Sequence, residues 1–231
     1  MTKFLGHKPC PRCGSKDNLG DYTDHVFCFG CKYYKNKDDI HSIRSRVHKI
    51  TTGTEDIMNV ETITELPRKA MQWLLSYGIS QEEIKEYNIQ WSPKKELLVL
   101  LNTLNYWQGR CFGNSKIKYM SAGSKPFTIY GSGDIIVLVE DVLSAIKIAR
   151  LHNEFCATPL LGSTLSYEFE KSILKEKFKK VYVWLDRDKA INAVKIKNKL
   201  KTRGVSSKAI ITPLDPKEYS KGELSQWLKN K

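Results

Sequence analysis

Three acids and two pairs of cysteines are where this sequence could do chemistry. An apolar run, IIVLVE, ends on Glu140; a second, VYVWLD, ends on Asp186, with Asp188 two places later. A hard divalent cation takes several carboxylate oxygens, so acids on two strand ends are suited to share one. Such acids lie at the carboxyl rim of an α/β sheet, where these sheets bind ligands. The second constellation is Cys10-Pro-Arg-Cys13 with Cys28-Phe-Gly-Cys31, two C-x2-C pairs separated by fourteen residues. A C-x2-C turn brings two thiolates to one side of an ion. Four cysteines so spaced predict one tetrahedral, structural Zn2+ with no position open for chemistry. Cys111 and Cys156 stand alone and are expected as buried thiols.

The elements that must hold these groups follow from hydrophobic spacing. Between the cysteine pairs, DYTDHVFC alternates as one strand would, with Tyr22 and Phe27 as its aromatics. From Tyr33 to about Thr64 the chain is polar and reads as a tether, with a short helix around Ile40 to Val47. RKAMQWLLSYG sets Ala70, Trp73, Leu74 and Tyr77 at helical spacing and stops at Gly78. Ser80 caps SQEEIKEY, and Glu83 completes a capping box. Strands are expected in ELLVLLNTLN, YWQGRCFG and KIKYMSAG.

From Ile135 the order turns βαβ. IIVLVE, ATPLLG, VYVWLD and SKAIITPL are strands; VLSAIKIARL, SYEFEKSILKEKF and KAINAVKIKNKLKTRG are the helices between them. The first helix turns Val142, Ala145, Ile146 and Ala149 inward. The third is expected to bury Ala190, Ala193 and Val194, with Lys195 and Lys199 opposite. A short helix starts at Ser220. This alternation predicts a parallel sheet flanked by helices. The fold class is therefore α/β: a small β zinc ribbon over 1–36, a linker over 37–64, an α+β basic subdomain over 65–133 and a parallel α/β domain over 134–231.

Composition bounds the function. With 231 residues, 41% hydrophobic and 27% charged, the chain suits one or two globular domains. No apolar run approaches the ~20 residues that span a bilayer, and the N-terminus carries no apolar signal core. The expectation is a cytoplasmic protein with no membrane partner, whose cysteines bind metal rather than pair. A net charge of +13 favours a polyanionic partner.

The order Glu140, then Asp186-x-Asp188, then Asp215 in PLDPKE resembles the Toprim domain of bacterial-type primases, topoisomerases and some nucleases. That family usually shows Glu-Gly-x-x-Asp at the first motif and a glycine after Asp-x-Asp. This chain has Asp141 and Ser144 at the first motif and runs straight into a helix after the second. The segment AMQWLLSYGISQEEIKEYNI resembles the opening of the primase catalytic core, and the zinc pairs resemble the template-recognition module of bacteriophage primases. QGR at Gln108 to Arg110, with Lys118 and Tyr119, is similar to the primase basic motif.

The resemblance implies a DNA primase of the bacteriophage and bacterial type. Glu140, Asp186 and Asp188 would be catalytic and, with Asp215, would hold two or more Mg2+ ions, Mn2+ being able to stand in. Arg110 and Lys118 would take nucleotide or template phosphates. His25, in the H-x-x-C position, matches a template-contacting histidine, although an exposed polar residue on a small ribbon would look the same. Partners would be single-stranded DNA, ribonucleoside triphosphates, a replicative helicase and a DNA polymerase, in the host cytoplasm for a phage protein. With no GxxxxGK[ST] loop in the sequence, that helicase is expected as a separate protein. A recombination mediator without catalysis, or a Toprim nuclease, are the rival readings.

Overall fold

The computed structural model describes residues 3–37, 59–114, 116–151 and 154–229. The helix expected around Ile40 to Val47 lies outside them. The chain divides into two compact units, Met1–Asn59 and Val60–Lys231.

The first unit is a four-stranded antiparallel meander: β1 (Phe4–Lys8), β2 (Leu19–Tyr22), β3 (His25–Cys28) and β4 (Tyr34–Asn36). DYTDHVFC therefore makes two strands rather than one, folded back at Thr23 and Asp24 with Asp21 opposite Val26. The alternation is real but is shared between neighbours. Asp21 is buried, and the ammonium groups of Lys8 and Lys37 close on its two oxygens. The buried core consists of Cys10, Leu19 and Cys28, with Val26, Cys31 and Tyr33 partly buried around them. So little apolar burial cannot offset the ordering of some thirty residues, and the module needs a further staple.

The second unit opens with helices α1 (Arg68–Ser76) and α2 (Gln81–Glu86). Gly78, at φ 69°, takes the left-handed conformation that lets the Ile79 N–H return to the Leu74 carbonyl and end α1. The Ser80–Glu83 capping box forms as expected. An antiparallel sheet follows, β5 (Gln90–Ser92), β6 (Leu97–Thr103), β7 (Tyr106–Cys111) and β8 (Tyr119–Gly123), in sequential order. The remaining chain forms β9 (Tyr130–Gly131), β10 (Ile135–Val139), α3 (Val142–Ala149), β11 (Phe155–Pro159), α4 (Tyr167–Glu176), β12 (Lys180–Val183), α5 (Ala190–Thr202), β13 (Ser207–Ala209) and α6 (Lys221–Lys229). Its five strands are ordered β13-β12-β10-β11-β9, all parallel except β9 at the edge.

Strand β10 is central and buried on both faces, as parallel strands covered by helices are. Val137 and Val139 join one core with α1, α3 and α6; Ile136 and Leu138 join the other with α4 and α5. Helix α3 is wholly buried, including Ser144 and Lys147. The inward stripe of α5 is Ala193, Ile196 and Leu200. That corrects the expected Ala190, Ala193 and Val194, because a 3-10 turn at Arg187–Lys189 resets the phase at which the helix begins. Lys195 and Lys199 do face outward, and Lys199 joins Arg203 on the carboxylate of Glu170.

The strand order places β11 and β12 on opposite sides of β10, so the chain reverses direction across the sheet there. The carboxyl ends of β10 and β12 flank the crevice that this reversal opens. Glu140 and Asp186 lie there.

The two halves of this unit are pinned by Arg150, just past α3. Its Nε and Nη2 engage both oxygens of Glu83, and Nη2 also reaches the Gly78 carbonyl at 2.7 Å. Both side chains are largely buried, so the bidentate pair is little screened. Arg150→Ala should lower the stability of this unit by about 2 to 4 kcal/mol, because it leaves Glu83 charged and unpaired. Arg150→Lys should recover only part, since an ammonium cannot match both oxygens. Urea unfolding followed by tryptophan fluorescence measures this, and an unchanged midpoint in Arg150→Ala would contradict it.

Candidate functional site

In the first unit, each cysteine pair is carried by a tight turn, around Cys10–Gly14 and Cys28–Lys32. The four sulfurs lie within 4.8 Å of one another, and the Cys10–Cys31 and Cys13–Cys28 contacts are both 3.7 Å. A disulfide would require about 2 Å. Zinc–sulfur bonds of ≈ 2.3 Å at tetrahedral angles place sulfurs about 3.8 Å apart. The quartet thus fits a Zn2+ ion. Hydrogen bonding with Ser15 pulls the Cys13 thiol down to about 6, toward the thiolate that a metal needs, while burial pushes Cys31 up to about 12, a rise that a bound ion would oppose.

Beside this cluster, His25 is not a free surface side chain. Its ring stacks on Tyr22 at 4.5 Å and 8°, and on Tyr34 at 5.1 Å and 28°. Phe4 extends the row by packing edge-on against Tyr22. Nδ1 lies 2.8 Å from Asp24 Oδ1, which fixes the ring plane. The result is an aromatic strip with Phe4 and Tyr34 exposed.

In the second unit, a cleft of about 250 Å3 opens at the carboxyl ends of β10 and β12. It is lined by Gln108, Tyr119, Glu140, Asp141, Leu161, Gly162, Asp186 and Lys217. Glu140 directly follows β10, and Asp186 follows Trp184 and Leu185, both buried, so neither acid can retreat to solvent. Asp141 caps α3, accepting from the Ser144 N–H at 3.0 Å and the Ser144 hydroxyl at 3.1 Å. Ser144, where the resembled family carries an acid, thereby serves to orient one. Asp215 precedes a turn closed by Glu218 and accepts from the Arg187 N–H at 2.9 Å.

The acids are joined through Lys217. Its Nζ lies 2.9 Å from Asp141, 2.8 Å from Asp186 and 3.2 Å from Asp215. Asp188 is an outer member, exposed and paired with Lys189. Two oxygens are left over: Glu140 Oε2 and Asp186 Oδ1 are buried with no hydrogen-bond partner. Burial pushes Glu140 above its ordinary range, with Asp188 and Asp141 adding to it and Lys189 and Lys217 opposing. Burial also raises Asp186, to about 7, against the pull of Lys217 and with Asp141 and Asp215 adding their repulsion. Orphaned carboxylate oxygens in a cleft, held costly by burial, suit a hard cation. Among the described residues the four cysteines are the group of three or more ligands lying within 4.8 Å of each other, so the acids are gathered more loosely than the thiols.

Arg110 stands beside the cleft on β7, opposite Tyr119 in register. Its guanidinium is boxed by Trp73 at 4.6 Å, Tyr119 at 5.6 Å and Phe112 at 5.7 Å, with Nε buried and unpartnered. Lys118 is exposed, immediately before β8. Sequence reasoning did not find Lys217 or the Trp73 box. Lys217 had a signal, a cation inside PLDPKE two places after Asp215, but nothing local shows that its side chain also turns toward the distant Asp141 and Asp186. Trp73 was read only as a core residue of α1.

A β zinc-ribbon module followed by an α/β core is the architecture these observations define. Its likeness among solved structures is to bacterial primases. The zinc-binding and RNA polymerase domains of the Aquifex aeolicus primase match with a TM-score of 0.55 and 16% identity, over 100% of this chain and 80% of that one. The E. coli primase catalytic core matches with a TM-score of 0.50 and 17% identity, over 70% of this chain and 75% of that one. No family model and no curated protein matches the sequence. The shared property is the fold. Among the described residues no helix is long and apolar enough to cross a membrane.

The ribbon's dependence on its metal is open to a direct check. Cys28→Ser should cost one zinc per chain by atomic absorption. Backbone amides of β2 and β3 should lose their hydrogen-exchange protection while those of β10 and β12 keep it, since structural zinc is the folding energy of such a module. Zinc-free wild-type protein, or protected ribbon amides in the variant, would contradict this.

Proposed function

We propose that this chain is a DNA primase of the Toprim class, joining ribonucleotides into short primers on a single-stranded DNA template. The observation that carries the proposal is the pair of buried, unpartnered oxygens, Glu140 Oε2 and Asp186 Oδ1, in the crevice where the parallel sheet reverses. The primase fold of the structural neighbours and the +13 charge support the same reading.

Glu140 and Asp186 would hold magnesium, with the exposed Asp188 and with Asp215, held by the Arg187 N–H and Lys217, as the further acids nearby. When bound, such an ion makes a primer hydroxyl more acidic and offsets charge on the departing pyrophosphate. The protein's own part is positioning and charge, which is most of what phosphoryl transfer asks of it. Arg110, boxed by Trp73, Tyr119 and Phe112, would present its guanidinium to a phosphate with little rotamer entropy left to lose. Lys118 adds a mobile positive charge that any template sequence can use. In the ribbon, His25 is held too tightly between Tyr22 and Tyr34 to act as a free hydrogen-bonding probe. With both ring faces covered and Nδ1 held by Asp24, it is better suited to offer Nε2 at its edge to a template base, while the exposed Tyr34 supplies a stacking face.

Primer synthesis with ribonucleotides, magnesium and single-stranded DNA tests the proposal. Wild-type protein should form short oligoribonucleotides. Asp186→Asn and Glu140→Gln should each reduce the rate by roughly 100-fold or more while DNA affinity stays within about twofold, because the loss is of transition-state charge stabilisation. Template cleavage in place of synthesis would favour a nuclease; DNA binding with no turnover in wild type would favour a mediator.

A further inference from the structure

The acids in this site already hold a cation. The Lys217 ammonium donates to Asp141, after β10, and to Asp186, after β12, and forms an ion pair with Asp215, after β13, so carboxylates from three different loops surround it. The ammonium is mostly buried, at 15% side-chain exposure, unlike an ordinary surface lysine. Its backbone is pinned as well. Lys147, buried on α3, donates to the Lys217 carbonyl at 2.6 Å, and the Asp215–Glu218 capping box shapes the turn that carries it. Burial alone would lower the Lys217 pKa, but Asp141 and Asp186 outweigh it and keep the group a permanent cation.

Asp186 divides its two oxygens. Oδ2 faces Lys217, while Oδ1 is buried and unpartnered, as is Glu140 Oε2. We infer that Lys217 is a built-in replacement for one divalent cation, so that the site takes a single exchangeable metal ion at Glu140 and Asp186 instead of two or more. This rests on the proposed metal site, and it adds Asp141 and Lys217 to that site's working parts. An ammonium reaches its acceptors at about 2.8 Å where magnesium requires 2.0–2.1 Å. Lys217 thus spreads the three acids wider than a second metal would, and its single charge does not exchange with solvent ions. Asp141, oriented by Ser144, supplies the carboxylate that balances it.

The test is a count of bound Mn2+ on the zinc-loaded full chain, by electron paramagnetic resonance titration of free ion. Wild type and Lys217→Arg should each bind one Mn2+. Lys217→Met should bind two, since removing the ammonium frees Asp141, Asp186 and Asp215 oxygens, and its first ion should bind at least tenfold more tightly. If Lys217→Met does not fold, the double variant Asp141→Asn, Lys217→Met relieves the repulsion and should still bind two. One ion in every variant, or two in wild type, overturns the inference and leaves the metal site standing. No ion in any of them overturns the metal site itself, and the inference with it.

Discussion

Carboxylates cannot share a buried crevice without cations among them, and the second unit is arranged around that constraint. Strands covered on both faces leave only their ends for polar chemistry, so Glu140, Asp141 and Asp186 fall together where β10 and β12 emerge. Their mutual repulsion and loss of water must be balanced nearby. Lys217 balances three of the acids and Lys189 another, while Lys147 holds the turn that delivers Lys217. What remains unpartnered is one buried oxygen each on Glu140 and Asp186, and on the proposed reading those are the oxygens that take the metal.

The first unit obeys the same logic with thiols in place of carboxylates. Its apolar core is too slight to hold four short strands, and the turns converge on four sulfurs spaced for a tetrahedral ion. A metal at that quartet would secure the backbone and free the sheet face from packing duty, and that face carries the Phe4, Tyr22, His25 and Tyr34 strip with Phe4 and Tyr34 exposed. Proteins that stack nucleobases use faces of this kind.

Much of this was legible in the sequence, wherever the governing interaction is local. Cysteine spacing is enforced by a single turn, the Ser80–Glu83 box lies within four residues, and apolar runs ending in acids report buried strands directly. What was misread or missed lies in turns that the apolar pattern does not mark and in contacts between distant segments. DYTDHVFC looked like one strand because alternation does not reveal which residues turn the chain. Burial of Asp21 depends on lysines at both ends of the module. The α5 stripe shifted because the turn at Arg187–Lys189 sets its phase. Lys217 and the Trp73 stack on Arg110 join residues 31 to 76 and 37 positions apart, and no window along the chain contains them.

The central claim is that the acid-lined carboxyl edge of the parallel sheet is a divalent-metal site. Anomalous diffraction from crystals soaked in Mn2+ addresses it most directly. The account predicts a manganese peak within coordination distance of Glu140 Oε2 and Asp186 Oδ1. Density bare of metal at those oxygens, with manganese elsewhere or nowhere in the second unit, would contradict it.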